Sequence, residues 1–306
     1  MTQLAAQLLY LLAAALGRLP WAWLRGLGGA LAWGWRRAGA RESVVAARNL
    51  ELACPELSPA QREELQRATL RTTAYQVLET LHLWTHRHAR NLQLIRSHDG
   101  SELFDAAIAA GRGVIVAAPH YGNWELLNQW LAMRTPLAIL YRPPESAVGE
   151  AFLRRVRADE GDRVTQVRAE GPGIRQLFKT LKAGGVVGIL PDQQPKAGDG
   201  EFAPFFSVQA LTMTLLGRLA ERSGAAVLFG YCERIGAGPR FALRFEAAPE
   251  GTASTDPVVA ATALNAAVER IARRDPAQYQ WTYKRYKLRP PGSGETNPYL
   301  DLERKR

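Results

Sequence analysis

The chain has 306 residues, a net charge of +10 and 47% hydrophobic residues, enough for a substantial core in one large domain or two small ones. So basic a chain suits anionic membrane surfaces, acidic protein partners or nucleic acid, but no zinc-finger spacing or other nucleic-acid motif accompanies the charge. Only two cysteines occur, Cys54 and Cys232, which argues against a disulfide framework and fits a reducing cytoplasm.

Leu4–Leu16 is almost wholly apolar, and Trp21–Trp35 is a second apolar stretch, with Arg18 and Pro20 between them. The first run is only ~20 Å long as a helix, against a hydrocarbon core of ~30 Å. A tilted span and a surface-lying hairpin both fit. Trp21, Trp23, Trp33 and Trp35 suit the interfacial belt, and Arg36, Arg37 and Arg41 place the following chain on the cytoplasmic side. A buried pair of core helices is the plainer alternative, but dense tryptophan flanked by arginine favours membrane association. Residues 1–38 are therefore read as a membrane anchor and 39–306 as the main domain.

Glu42–Leu52 has helical spacing, and Ser58-Pro59-Ala60-Gln61 is a capping box that should open a long helix towards Trp84. His82, His86 and His88 follow in LHLWTHRH. His82 and His86 lie one helical turn apart, but no third ligand follows at diagnostic spacing, so a helix end flanking a lipid or acyl groove is expected and no metal.

Gly113–Leu127 reads GVIVAAPHYGNWELL. Val114–Val116 is a buried strand, Pro119 ends it, and Trp124 opens a helix. His120 thus stands past a strand's carboxyl end and Glu125 in the next helix's first turn, at the usual place for chemistry in open α/β sheets. A loop-to-helix corner lets the two meet. A carboxylate on one ring nitrogen would fix the tautomer and leave the other to take a proton. On these two residues alone, a histidine in a polar turn and a glutamate favoured by a helix N-terminus are the better explanation, because His-x-x-x-x-Glu is a short and common string.

Strands are then expected at Leu137–Tyr141, Val164–Val167, Val186–Leu190, Ala226–Tyr231 and Phe241–Phe245. Helices are expected at Ser146–Arg157, Gly171–Lys182, Leu211–Arg222 and Pro257–Arg273, with a loop over Pro191–Pro204. This alternation predicts an α/β fold with a mostly parallel central sheet flanked by helices, preceded by the helical anchor. Three strand ends then bring His120, Arg142 and Asp192 to one rim. Arg142 there can clamp a phosphate or carboxylate.

HYGNWE after an apolar strand resembles the first block of the bacterial late lipid A acyltransferases, the lauroyl and myristoyl transferases. Their signature, His-x-x-x-x-Asp/Glu, is shared with the glycerol-phosphate acyltransferases. The resemblance covers most of the chain. ARNLELACPELSP resembles the segment before the catalytic block, with Cys54 where phenylalanine is usual. Tyr141-Arg142-Pro143 resembles the family's Tyr-Arg-Pro, which implies substrate binding by Arg142, and Arg157 looks like its second retained arginine, with Arg154 and Arg155 as competing matches and a solvated helix face as the alternative. Leu190-Pro191-Asp192-Gln193-Gln194-Pro195 resembles the Asp-Gln block. Phe202-Ala203-Pro204-Phe205-Phe206 resembles Pro-Phe-Phe-Gly, with Ser207 in the glycine's place, and suggests an acyl channel lining. Trp281 to Pro290 looks like the C-terminal Trp…Arg-Phe-Lys…Arg-Pro, with Arg285 suited to lipid phosphate.

The resemblance implies a membrane-bound O-acyltransferase facing the cytoplasm from the inner membrane. His120 would deprotonate an acceptor hydroxyl, Glu125 would orient it, and backbone amides near Gly122 and Asn123 would hold the oxyanion. Expected substrate-binding residues are Gly122, Asn123, Arg142, Arg157, Asp192, Gln193 and Arg285. The donor would be an acyl thioester of acyl carrier protein, and the acceptor a phosphorylated glucosamine lipid. No cofactor, metal or nucleic acid is implied. Another lipid acceptor, and a non-catalytic protein that binds anionic lipid, are the alternatives.

Overall fold

The computed structural model describes residues 2–157 and 163–303. Four helices come first: α1 (Thr2–Gly17), α2 (Trp21–Arg37), α3 (Arg41–Ala53) and α4 (Pro59–Thr85). The capping box at Ser58 forms as expected, with Ser58 and Gln61 exchanging side-chain and backbone bonds. After the one-turn α5 (His88–Asn91), strands and helices alternate: β1 (Ile95–Asp99), α6 (Ser101–Ala109), β2 (Val114–Ala117), α7 (Trp124–Arg134), β3 (Leu137–Tyr141), α8 (Ala147–Val156), β4 (Val164–Arg168), α9 (Gly171–Lys182) and β5 (Val186–Ile189). The hairpin β6 (Gly200–Phe205) and β7 (Val208–Met213) follows, then α10 (Leu215–Ser223), β8 (Ala226–Arg234), β9 (Phe241–Ala247), α11 (Pro257–Ala272) and α12 (Leu300–Glu303).

Seven strands form one sheet in the order β1-β9-β8-β2-β5-β3-β4. The run β8-β2-β5-β3-β4 is parallel throughout; β9 turns back antiparallel to β8, and β1 pairs parallel with β9. The sheet is thus mostly parallel, as the alternation predicts. Strand β2 lies at its centre and is buried on both faces. Ile115 and Ala117 join a core with Leu177, Leu216, Leu264 and Trp281, while Val114 and Val116 join another with Phe104, Leu126 and Trp130. A period of two on a strand with helices on both sides requires this apolar continuity.

Two expected elements differ. Leu211–Met213 belong to β7, not to a helix, and α10 starts at Leu215. The expected loop over Pro191–Pro204 ends early, because β6 begins at Gly200. Phe206 and Ser207 make the hairpin turn with φ of 49° and 62°, the left-handed region where glycine is the easier residue. Phe205 and Phe206 are buried in the core instead of lining a channel. Strand β1, with the polar sequence IRSHD, carries no apolar run to announce it; it sits at the sheet edge with only Ile95 fully buried.

No single helix is long and apolar enough to cross a membrane among the described residues; α1 and α2 pass that test only as a pair bent by 110°. Small residues of α1, Ala6, Ala13, Ala14 and Gly17, are buried, while Leu4, Leu8, Leu9, Leu11 and Leu12 are exposed. A side chain at Gly17 would meet the Leu81 carbonyl at 2.8 Å, so α1 closes directly onto α4. It also packs on α8, where the Arg155 guanidinium lies 4.4 Å from the Tyr10 ring centroid. Helix α2 exposes Trp23, Leu27 and Trp33.

Candidate active site

Strand β2 ends at Ala117, and one further ladder bond, from Ala118 N–H to the Ile189 carbonyl (2.8 Å), carries the pairing with β5 to the rim. This register sets His120, beyond β2, against Asp192, beyond β5. Asp192 accepts twice from the one residue: Oδ1 from the His120 ring Nδ1 at 2.8 Å, and Oδ2 from the His120 backbone N–H at 3.0 Å. Both side chains are buried. Burial alone would push the Asp192 carboxyl up, but the charge and hydrogen bonds of His120 outweigh it and hold the carboxyl below its usual range. A carboxylate on Nδ1 places the ring proton there, and Nε2 is left as the acceptor. Tyr279 lies beside the same carboxylate. Burial, and then the Asp192 charge, keep its hydroxyl protonated.

Gly122 makes the corner possible. Its φ is +62°, and a Cβ there would fall 2.0 Å from the Cys232 carbonyl oxygen on β8. The neighbouring Tyr121 hydroxyl donates to Glu233 at 2.7 Å. Glu233 also accepts from Arg244 and Arg274 at 2.7–3.0 Å. Burial disfavours that carboxylate, yet its hydrogen bonds bring it down to about 2. From the other side the segment after α11 clamps the loop. Tyr121 and Tyr279 form an isolated antiparallel bridge, and Gln280 N–H donates to the His120 carbonyl at 3.0 Å.

The expected His120–Glu125 pairing is not what the structure holds, since the carboxylate on the ring is Asp192. Glu125 instead accepts from Arg157 through Nε (3.2 and 3.3 Å) and Nη2, and from the Trp84 indole at 3.2 Å. The reason is geometric: Asn123 caps α7 by accepting from Leu126 N–H, so Glu125 is already helical and reaches the C-cap of α8, where Arg157 lies. Burial works against the Arg157 charge, but the Glu125 carboxylate more than offsets it. The pair lines a small cavity with Trp84, Asn128 and Val156. Trp124 packs edge-on to the His120 ring at 4.7 Å.

The other expected site residues divide. Gln193 reaches the centre, its amide nitrogen 3.2 Å from His120 Nε2 and 3.0 Å from Gln280 Oε1. Arg142 is exposed at the end of β3, the strand next to β5. Arg285, expected to meet lipid phosphate, is 3% exposed and donates to Leu211 O, Thr212 Oγ1 and Asn265 Oδ1 at 2.6–3.3 Å. It is an internal strut between the β7 strand and α11. The expected oxyanion donors are also engaged: Gly122 N–H donates to Gln278 O (3.2 Å) and Asn123 N–H to Cys232 O (2.8 Å). The histidine cluster is structural. His82 Nδ1 lies 2.7 Å from Gly17 O, His86 Nδ1 lies 2.9 Å from His82 O, and their rings stack at 3.9 Å. No group of three potential metal ligands occurs among the described residues. Sequence reading missed Gln280, Tyr279 and the Trp84 indole; only the proximity of distant segments makes them part of the site.

The sequence profile of the bacterial lipid A biosynthesis acyltransferases matches residues 1–288. Among curated relatives, a lipid A biosynthesis palmitoleoyltransferase of Escherichia coli (strain K12) is 29% identical over 264 residues, covering 85% of this chain and 83% of the relative. A lipid A biosynthesis lauroyltransferase of the same strain is 28% identical over 259 residues, covering 82% of this chain and 81% of the relative. A myristoyltransferase of that strain is 25% identical over 252 residues, 82% of this chain and 76% of the relative. The α/β rim, its histidine–carboxylate pair and a match along nearly the whole chain agree: this protein belongs to the bacterial lipid A biosynthesis acyltransferase family and is an acyltransferase.

Proposed function

We propose that the protein transfers a fatty acyl chain from the thioester of acyl carrier protein to a hydroxyl of a lipid A precursor, at the cytoplasmic face of the inner membrane. The observation that carries this reading is the His120–Asp192 pair at the rim, with Nε2 directed away from the carboxylate. Nε2 takes the hydroxyl proton as the oxygen attacks the thioester carbonyl. Asp192 keeps the ring oriented and stabilises the imidazolium that forms. The thiolate leaves and takes that proton back, so an ester and a free thiol result. Glu125 and Arg157 act as a second charged pair beside the base. Arg142 at the rim meets a phosphate of the acceptor.

The exposed leucines of α1 and the tryptophans of α2 lie on the membrane surface, while the opposite face of the pair stays packed on α4 and α8. At 16 and 17 residues the two helices span about 24 and 25 Å, short of a ~30 Å hydrocarbon core. The basic surface, with a net charge of +10, speeds the encounter with an acidic carrier. Thiol release with lauroyl-acyl carrier protein and a bisphosphorylated, hydroxyacylated glucosamine disaccharide tests the reaction. His120→Ala should lower turnover by about 10²-fold or more. Near-normal turnover in that variant removes His120 as the base.

A further inference from the structure

Acyl transfer passes through a tetrahedral oxyanion, which needs hydrogen-bond donors placed in advance. The four backbone N–H groups from His120 to Asn123 are engaged. His120 N–H donates to Asp192 at 3.0 Å, Tyr121 N–H to Pro119 O at 2.6 Å, Gly122 N–H to Gln278 O at 3.2 Å and Asn123 N–H to Cys232 O at 2.8 Å. The Asn123 side chain is fully buried, and its Oδ1 caps α7 by accepting from Leu126 N–H. None of those four N–H groups is free to turn to an oxyanion, which directs attention to side chains. One stands at the reacting nitrogen: the amide nitrogen of Gln193, 3.2 Å from His120 Nε2. Its second N–H donates to Gln280 Oε1 at 3.0 Å, and both glutamines are half-buried at the rim.

We infer that the Gln193 side-chain amide is the oxyanion donor of the reaction, and that Gln280 is the positioning residue that holds it there. The inference rests on His120 being the base. In the free protein the amide occupies the Nε2 lone pair. The acceptor hydroxyl must take that position to hand over its proton, and it displaces the amide. Attacking oxygen and oxyanion are bonded to the same carbon, so a donor displaced from one is within reach of the other. The N–H that leaves Nε2 turns onto the oxyanion as charge develops, while the N–H on Gln280 keeps the amide plane fixed. Gln280 is itself fixed, because its backbone N–H donates to the His120 carbonyl at 3.0 Å. Donor and base are thereby tied to one loop. No new bond or redox step is added to the reaction; the thiolate still leaves with the proton held by His120.

The test is steady-state kinetics with lauroyl-acyl carrier protein and the bisphosphorylated acceptor, on detergent-purified full-length protein whose folding is checked by circular dichroism. Gln193→Leu should lower kcat by about 10²- to 10³-fold, the loss typical of one oxyanion donor, with both KM values within about threefold. Gln193→Glu keeps the shape, lacks the N–H groups and should fall as far; it also carries the test if the leucine variant does not fold. Gln280→Met should lower kcat about tenfold in the wild-type background and have no further effect beside Gln193→Leu, because it acts through Gln193. A kcat loss below tenfold in a folded Gln193 variant, a loss carried by KM, or additive effects of the two positions would overturn the inference. If His120→Ala is inactive while the Gln193 variants work, only the oxyanion assignment fails. If His120→Ala is active, the base assignment fails as well.

Discussion

Two carboxylates, Asp192 and Glu125, belong to the candidate site, and their partners separate them. Asp192 receives two bonds from His120, whereas Glu125 is held by Arg157 and Trp84. Loss of the Glu125 charge would leave a guanidinium buried without its counter-charge, a penalty that structure as well as binding would feel. Arg142 offers a sharper residue-scale prediction. It is exposed at the rim, so its contribution should come through the acceptor's phosphate. Arg142→Lys keeps the charge and loses the planar two-bond fork. That should cost about 1.5–3 kcal/mol, or roughly 10- to 150-fold in kcat/KM, with a phosphorylated acceptor and little with a dephosphorylated one. Equal activity of Arg142→Lys and wild type on the phosphorylated acceptor would mark Arg142 as a solvated surface charge. Residue by residue, the local pieces were legible in the chain. HYGNWE announces a strand, a corner and a helix, and PDQQ another strand end. Which carboxylate meets the imidazole was not, because that depends on the β2–β5 register and on Asn123 capping α7. Gln193 and Gln280 stand 87 positions apart, and no local pattern relates them.

At the scale of elements, the junction of α1 with α4 carries a titratable lock. His82 is buried under Gly17 and Trp21; burial lowers its pKa from 6.5 to about 4, against the opposing bond to Gly17 O. The unfolded chain takes up a proton near pH 6.5 that the folded protein refuses until about pH 4. The stability this site contributes is therefore complete above pH 6.5 and lost as the pH falls towards 4. Thermal unfolding of wild type should shift to lower temperature through that window, and His82→Asn should show a shallower dependence. The same slope in both would place the acid sensitivity elsewhere. The elements themselves were read well where apolar runs or caps announced them, as at β2, β5, α4 and α11. The β6–β7 hairpin and β1 escaped for opposite reasons. In the hairpin, LTMTLLGRLAER runs on into α10 with an apolar pattern that suits a helix, and tertiary pairing overrides it. In β1 there is too little apolar pattern for any reading.

At the scale of the molecule, the helical pair α1–α2 packs against α4 and leaves an exposed apolar face, which the proposed function places on lipid. Deletion of residues 1–38 should abolish binding to anionic vesicles. It should also lower the unfolding temperature, because Leu70 and Ala74 on α4 become uncovered. Co-sedimentation and a thermal melt read the two effects separately. Vesicle binding that survives the deletion at high salt would move the membrane contact to another surface. The strand–helix alternation made the mostly parallel sheet legible, and the apolar N-terminal runs the two helices before it. That the pair packs along the catalytic body, rather than standing apart from it, follows from Gly17 and the small face of α1, which composition does not reveal.

The central claim is that His120 is a general base whose orientation is set by Asp192. The most direct measurement is kcat of Asp192→Asn, with folding verified and both substrates saturating. Asparagine keeps the shape and removes the charge that stabilises the imidazolium. The account predicts a fall in kcat of about 10²-fold or more with KM nearly unchanged. A folded Asp192→Asn enzyme that turns over within threefold of wild type would contradict it.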